Sequence, residues 1–136
     1  MKSEQPIILI IDDDPAIRTV LAKMIHKLHD DVTIVFAADC MEAIDKVGKR
    51  FWKRRVRPLI TLVDARLPVM DGFKCAEMLK EQKMKNIVMM SAFLDRDLVP
   101  RAVSSGVDTV FKKSMGPKGI ASAIVSMLEA LEATDE

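Results

Sequence analysis

A chain of 136 residues with 21 Lys and Arg against 20 Asp and Glu carries a net charge of +1, which supplies no global field to select nucleic acid or an anionic membrane. Hydrophobic residues make up 49% and charged residues 30%, ordinary proportions for a soluble protein, and the length predicts one domain over residues 1–136 with its core at about 7–132. No apolar run approaches the roughly 20 residues of a membrane span, and the first apolar run runs straight into acids without a signal-peptide pattern, so a cytoplasmic location is expected.

Taken in chain order, Ile7–Ile11 is an unbroken apolar run ending in Asp12-Asp13-Asp14-Pro15. Such a run reads as a strand buried on both faces. Asp14 is placed to cap a helix and Pro15 suits its first position. Ile17, Val20, Leu21, Met24, Ile25 and Leu28 recur at helical spacing and carry helix one to about His29. Val32–Phe36 is the second strand, more exposed and suited to an edge. Helix two begins near Asp39, with Met41, Ala43, Ile44 and Val47 apolar. The third strand, Leu59–Val63, ends in Asp64, and Pro68 and Asp71-Gly72 then force a loop.

Helix three runs from Asp71, which begins it, to Gln82, and the fourth strand, 86–90, ends at Ser91-Ala92. Pro100 would break a helix in its interior, so a long loop is expected, then a short helix from Val99 or Pro100 that Gly106 ends. The fifth strand, Val107–Phe111, runs into Lys112-Lys113. Pro117 opens helix five, striped by Ile120, Ala123, Ile124, Met127, Leu128 and Leu131. Five strands alternating with five helices predict a doubly wound α/β fold with a parallel sheet in the order 2-1-3-4-5, the flavodoxin-like arrangement. Cys40 and Cys75 fall in helices and are expected to be buried thiols, since a disulfide needs an oxidising compartment. His26 and His29 have no partners at metal-ligand spacing and receive no role.

The chemistry collects at the carboxyl ends of the strands, where open α/β sheets bind ligands. Strand one brings Asp12 and Asp13, strand three Asp64, strand four Ser91 and strand five Lys113. Clustered carboxylates are costly unless a cation neutralises them, and oxygen-only donors suit Mg²⁺ or Mn²⁺. Three acids, a hydroxyl and an ammonium together suit a phosphoryl-transfer site in which a carboxylate attacks phosphorus.

In combination, Ile-Ile-Asp-Asp-Asp-Pro, Leu-Val-Asp-Ala-Arg-Leu-Pro-Val-Met-Asp-Gly, Met-Ser-Ala and Gly106 followed by Lys113 resemble the receiver domain of bacterial two-component response regulators, from Ile7 to about Leu131. The resemblance implies that Asp64 is the phosphoacceptor. It implies a Mg²⁺ held by Asp13, by Asp64, by the backbone carbonyl of Arg66 and, largely through water, by Asp12. Ser91 would bond a phosphoryl oxygen, Lys113 would pair with that group or with Asp64, and Gly72 would let the loop turn. The phosphoryl donor would be a histidine kinase or a phosphotransfer protein, and the product a stand-alone switch acting on an output protein, not a metabolic enzyme. Arg66 and Phe93 flank the expected phosphoryl group and predict slow self-hydrolysis.

Three positions depart from the family's pattern. Ser114 follows Lys113 where the family has a cis proline; a cis bond there costs about 2.5–4 kcal/mol, so a trans bond or a strained cis bond is expected. Val110 stands where the family has a switch aromatic, and Phe111 should face the other side of the strand. Pro100 disturbs the helix-four surface that many receivers use for docking. The first two departures argue for an alternative, an interaction module that works without phosphorylation, and the retention of Asp12, Asp13, Asp64, Ser91 and Lys113 argues more strongly against it. An aspartate-nucleophile phosphatase fits less well, because Arg66 occupies the place of its second Asp.

Lys49–Arg57 stands apart: six of nine residues are basic, none is acidic, and the only Trp is among them. It reads as an extension of helix two or as a docking patch for an acidic partner, with protein ranked above nucleic acid.

Overall fold

The computed structural model describes residues 5–51, 56–92 and 96–134, with residues 50 and 51 described by backbone alone. Five strands form one parallel sheet in the order β2-β1-β3-β4-β5: β1 (Ile7–Ile11), β2 (Thr33–Ala37), β3 (Ile60–Asp64), β4 (Ile87–Ser91) and β5 (Thr109–Lys112). The expected order holds. The second, third and fourth strands each sit one residue later than their apolar runs suggested, so Asp64 and Ser91 are themselves the last residues of β3 and β4.

The helices are α1 (Pro15–Leu28), α2 (Cys40–Lys46), α3 (Gly72–Glu81), α4 (Leu98–Ser104) and α5 (Gly116–Thr134). Asp14, Asp39 and Asp71 cap the first three through side-chain bonds from Ala16, Glu42 and Lys74 N–H, satisfying donors that a helix start leaves open. Helix two does extend, but as a π-helical turn, Val47–Phe51. Pro100 lies in the first turn of α4, where its missing N–H breaks no bond. A 3₁₀ turn, Lys113–Met115, joins β5 to α5.

Strand alternation splits the core in two. Leu9, Ile11, Val35, Val63, Ile87 and Met89 face α2, α3 and α4. Ile8, Ile10, Ile60, Leu62, Val88 and Met90 face α1 and α5. Val110 packs on the first side and Phe111 on the second, as the strand period predicts. Among the described residues no helix is long and apolar enough to cross a membrane.

Cys40 and Cys75 are joined by a disulfide, with Cα atoms 5.5 Å apart and both residues fully buried. This corrects the expectation of two thiols. The residues are 35 positions apart, on two helices that pack side by side, and they oppose each other only once both helix registers are set. Closing a loop of that length stabilises by about 3–4 kcal/mol on chain-entropy grounds. A reductant should therefore lower the urea midpoint of the wild type and leave a Cys40→Ala, Cys75→Ala protein unmoved; an unchanged wild-type midpoint would contradict the bond.

Candidate functional site

Register builds the site. Ile11 pairs with Val63, so the residue after β1, Asp12, lies beside the residue that ends β3, Asp64. Asp64 pairs with Met90 and Ser91 with Lys112, which brings the ends of β4 and β5 to the same edge. One carboxylate oxygen from each of Asp12, Asp13 and Asp64 lies within 4.8 Å of the others. Asp12 and Asp64 are buried, at 1% and 3% exposure, while Asp13 is exposed and opens the cluster to solvent.

Two contacts hold the Asp64 carboxylate in place. Oδ1 accepts the Arg66 backbone N–H at 3.0 Å, and Oδ2 accepts from Lys113 Nζ at 2.6 Å. Burial pulls the Lys113 pKa down, but the hydrogen bond and charge of Asp64 outweigh it, and the net shift is upward. The Lys113–Ser114 bond is trans, and the turn that follows β5 still delivers the ammonium to Asp64.

Asp12 is held as tightly at its backbone. Its N–H donates to the Ala37 carbonyl at 3.0 Å, and its own carbonyl accepts from the Arg18 guanidinium at 3.0 Å. Oδ1 accepts the Asp14 N–H at 2.9 Å, whereas Oδ2 is buried with no hydrogen-bond partner. Burial lifts the Asp12 pKa from 3.8 to about 6; the Asp14 N–H and Lys113 oppose the rise, and the Asp64 and Asp13 charges add to it.

Gly72 does more than allow a turn. A Cβ there would lie 2.2 Å from the Asp64 carbonyl oxygen, while its N–H bonds the Ala65 carbonyl at 2.9 Å. The start of α3 is thus pressed against the backbone of Asp64 in a way no side chain permits.

The donor set fits a hard divalent cation. It is all oxygen, one side is open to water, and the partnerless Asp12 Oδ2 is the kind of buried atom that a metal ligand leaves behind. The structure brings the side chains of Asp12, Asp13, Asp64 and Lys113 together, and β4 ends at the same edge with Ser91. Arg66 is exposed beside them. Phe93 lies outside the described residues. Arg18, which holds the Asp12 carbonyl, escaped the sequence reading because a polar residue on an amphipathic helix carries no local signal of a bond to a distant loop.

The family model for the response regulator receiver domain matches residues 8–125. The chain belongs to that family. This receiver domain is 29% identical over 116 residues to a protein-glutamate methylesterase/protein-glutamine glutaminase of Methanospirillum hungatei, a match spanning 83% of this chain and 32% of that protein. It is 28% identical over 125 residues to the DNA-binding response regulator MtrA of Mycolicibacterium smegmatis, spanning 92% of this chain and 51% of that protein. It therefore covers about a third to a half of the length of these relatives. Among solved structures, a two-component response regulator from Clostridium difficile superposes with a TM-score of 0.79 at 21% identity, over 93% of this chain and 98% of the other. A receiver domain from Pseudomonas fluorescens Pf-5 does so with a TM-score of 0.79 at 20% identity, over 99% and 95%. These two show the shared fold.

Proposed function

We propose that this receiver domain is a phosphorylation switch whose phosphoacceptor is Asp64, acting as one domain over residues 1–136 with its core at about 7–132. One observation carries the reading: a buried carboxylate at a strand end, held by an ammonium at 2.6 Å and flanked by two further acids.

An Asp64 carboxylate oxygen attacks phosphorus, the bond to the donor nitrogen of a phosphohistidine breaks, and the imidazole leaves with that electron pair and takes up a proton. The product is an acyl phosphate. Two groups of the chain meet the incoming charge. The Lys113 ammonium already neutralises Asp64 and is positioned to exchange to a phosphoryl oxygen, and the Ser91 hydroxyl donates to another. Asp12, Asp13, Asp64 and the Arg66 carbonyl would hold Mg²⁺ or Mn²⁺. When bound, the ion would offset the negative charge that gathers as the phosphoryl group arrives. Arg66, exposed at the rim, would slow water's access to the product.

The phosphoryl source is a histidine kinase or phosphotransfer protein, and the phosphorylated form binds an output protein; the domain works only on itself and is not a metabolic enzyme. The alternative of a phosphorylation-independent module rests on Val110 and Ser114. Incubation with acetyl phosphate followed by intact mass separates the two. The switch predicts a gain of one phosphoryl group with Mg²⁺, abolished by a chelator and absent in Asp64→Asn. No gain under any condition would favour the module.

A further inference from the structure

We propose that the amino-terminal edge of the sheet carries a second binding surface, which takes an acidic peptide segment with aliphatic residues from a protein partner. It goes beyond the switch and does not depend on it: about 13 Å of β3, four residue steps, separate this edge from Asp64.

The surface is an open groove of about 420 Å³ lined by Arg57, Pro58, Leu59, Lys83, Lys85 and Asn86. Three of the six lining residues are cations and none is an acid. Lys83 and Lys85 are exposed, and among the described residues no ion pair joins either to a carboxylate. Pro58 and the half-buried Leu59 supply an apolar floor.

The walls are tied together in advance. The Arg57 guanidinium donates to the Gln82 carbonyl at 2.8 Å, and Asn86 Nδ2 donates to the Leu59 carbonyl at 2.8 Å. A partner would thus find the groove formed, at a lower ordering cost.

Backbone strain lies in the same place. Lys83 has φ +67 and Asn86 φ +56. The Lys83 N–H bonds Lys80 and the Met84 N–H bonds Leu79, which closes α3 in the left-handed form that glycine ordinarily supplies. A lysine holds that position at a cost, and a cation where the backbone favours glycine points to a use for its charge. The sequence agrees: Arg57 ends the Lys49–Arg57 stretch, whose residues 52–55 lie outside the described residues.

An acidic peptide fits better than nucleic acid. Among the described residues the groove's three cations lie on two adjoining loops, a smaller footprint than the long stripe that a phosphate backbone requires, and the whole chain carries only +1. The apolar floor matches an aliphatic side chain, for which a sugar-phosphate backbone has no counterpart.

The test is fluorescence anisotropy of a short labelled peptide of alternating Glu and Leu at low salt, with the full chain. Lys83→Glu, Lys85→Glu should weaken binding by about tenfold or more, while Lys23→Glu, Lys27→Glu, a charge reversal of the same size on α1, should leave it unchanged. Circular dichroism checks that both proteins fold; both pairs are exposed. Lys83→Gly, Lys85→Gln, which relieves the backbone and removes the charge, should also weaken binding. Duplex DNA should not displace the peptide. Equal affinity in the wild type and the Lys83, Lys85 variants, equal loss in the Lys23, Lys27 variant, or displacement by DNA at lower concentration than by unlabelled peptide would each overturn the proposal.

Discussion

Lys113→Ala is expected to slow phosphorylation by acetyl phosphate by about 10²–10³-fold, the range seen when one preorganised charge-stabilising donor is removed from a polar site. Lys113 Nζ donates to the Asp64 carboxylate at 2.6 Å, and its charge faces Asp12 and Asp13 as well, so it offsets the charge of all three acids. Its pKa lies above the usual lysine value, so the ammonium persists across the working range. A folded-state pKa raised in this way gives stability that is complete below the unfolded value of 10.5 and is lost only as pH climbs through the folded one. The rate defect should therefore be independent of pH near neutrality. Its stability cost should be modest, about 1 kcal/mol, because a third of the side chain is exposed and water screens the pair. Initial rates by intact mass decide the matter: a variant within a few-fold of the wild type would remove Lys113 from the mechanism.

Asp12→Asn should act in the opposite sense on stability. An acid whose pKa rises from 3.8 to about 6 on folding binds its proton more tightly in the native state. Its favourable contribution is therefore complete below about pH 4, fades as pH rises through the interval to about 6, and leaves a standing penalty above it. The shift sets an upper limit near 3 kcal/mol, so the metal-free variant should be more stable than the wild type by about 1–3 kcal/mol at neutral pH, with a flatter pH dependence. Mg²⁺ should reverse the ranking, raising the melting temperature of the wild type and much less that of the variant, which lacks one anionic donor. Melts with and without Mg²⁺ and with a chelator check both halves. A variant less stable than the wild type without metal would show that Asp12 is held for the fold and not for an ion.

The site was legible because parallel strands buried on both faces announce themselves as apolar runs, and whatever ends them must lie at one edge. Asp12, Asp64, Ser91 and Lys113 could be placed together from that rule alone. Asp14 read as a cap because a capping carboxylate acts on residues next to it in sequence, and the structure shows that bond; Asp71, read as the first residue of its helix, caps it instead. The one-residue offsets at β3 and β4 arose because a strand continues through a polar residue as long as its backbone bonds are met, which hydropathy cannot register. The features that stayed hidden depend on two distant segments meeting. The Cys40–Cys75 bond needs the registers of α2 and α3. The contact of Gly72 with the Asp64 carbonyl needs the approach of a helix start to a strand end. Arg18 needs the distance from α1 to the β1 loop. Lys83 was hidden for a different reason: its left-handed backbone departs from the glycine that would have advertised it.

The central claim is that Asp64 carries the phosphoryl group. Reduction of the phosphorylated protein with borohydride, which converts an aspartyl phosphate to homoserine, followed by peptide mass mapping reads the position directly. The account predicts homoserine at position 64 in the wild type, formed only with Mg²⁺, and none anywhere in Asp64→Asn. Homoserine at Asp12 or Asp13, or an undiminished phosphoryl gain in Asp64→Asn, would contradict it.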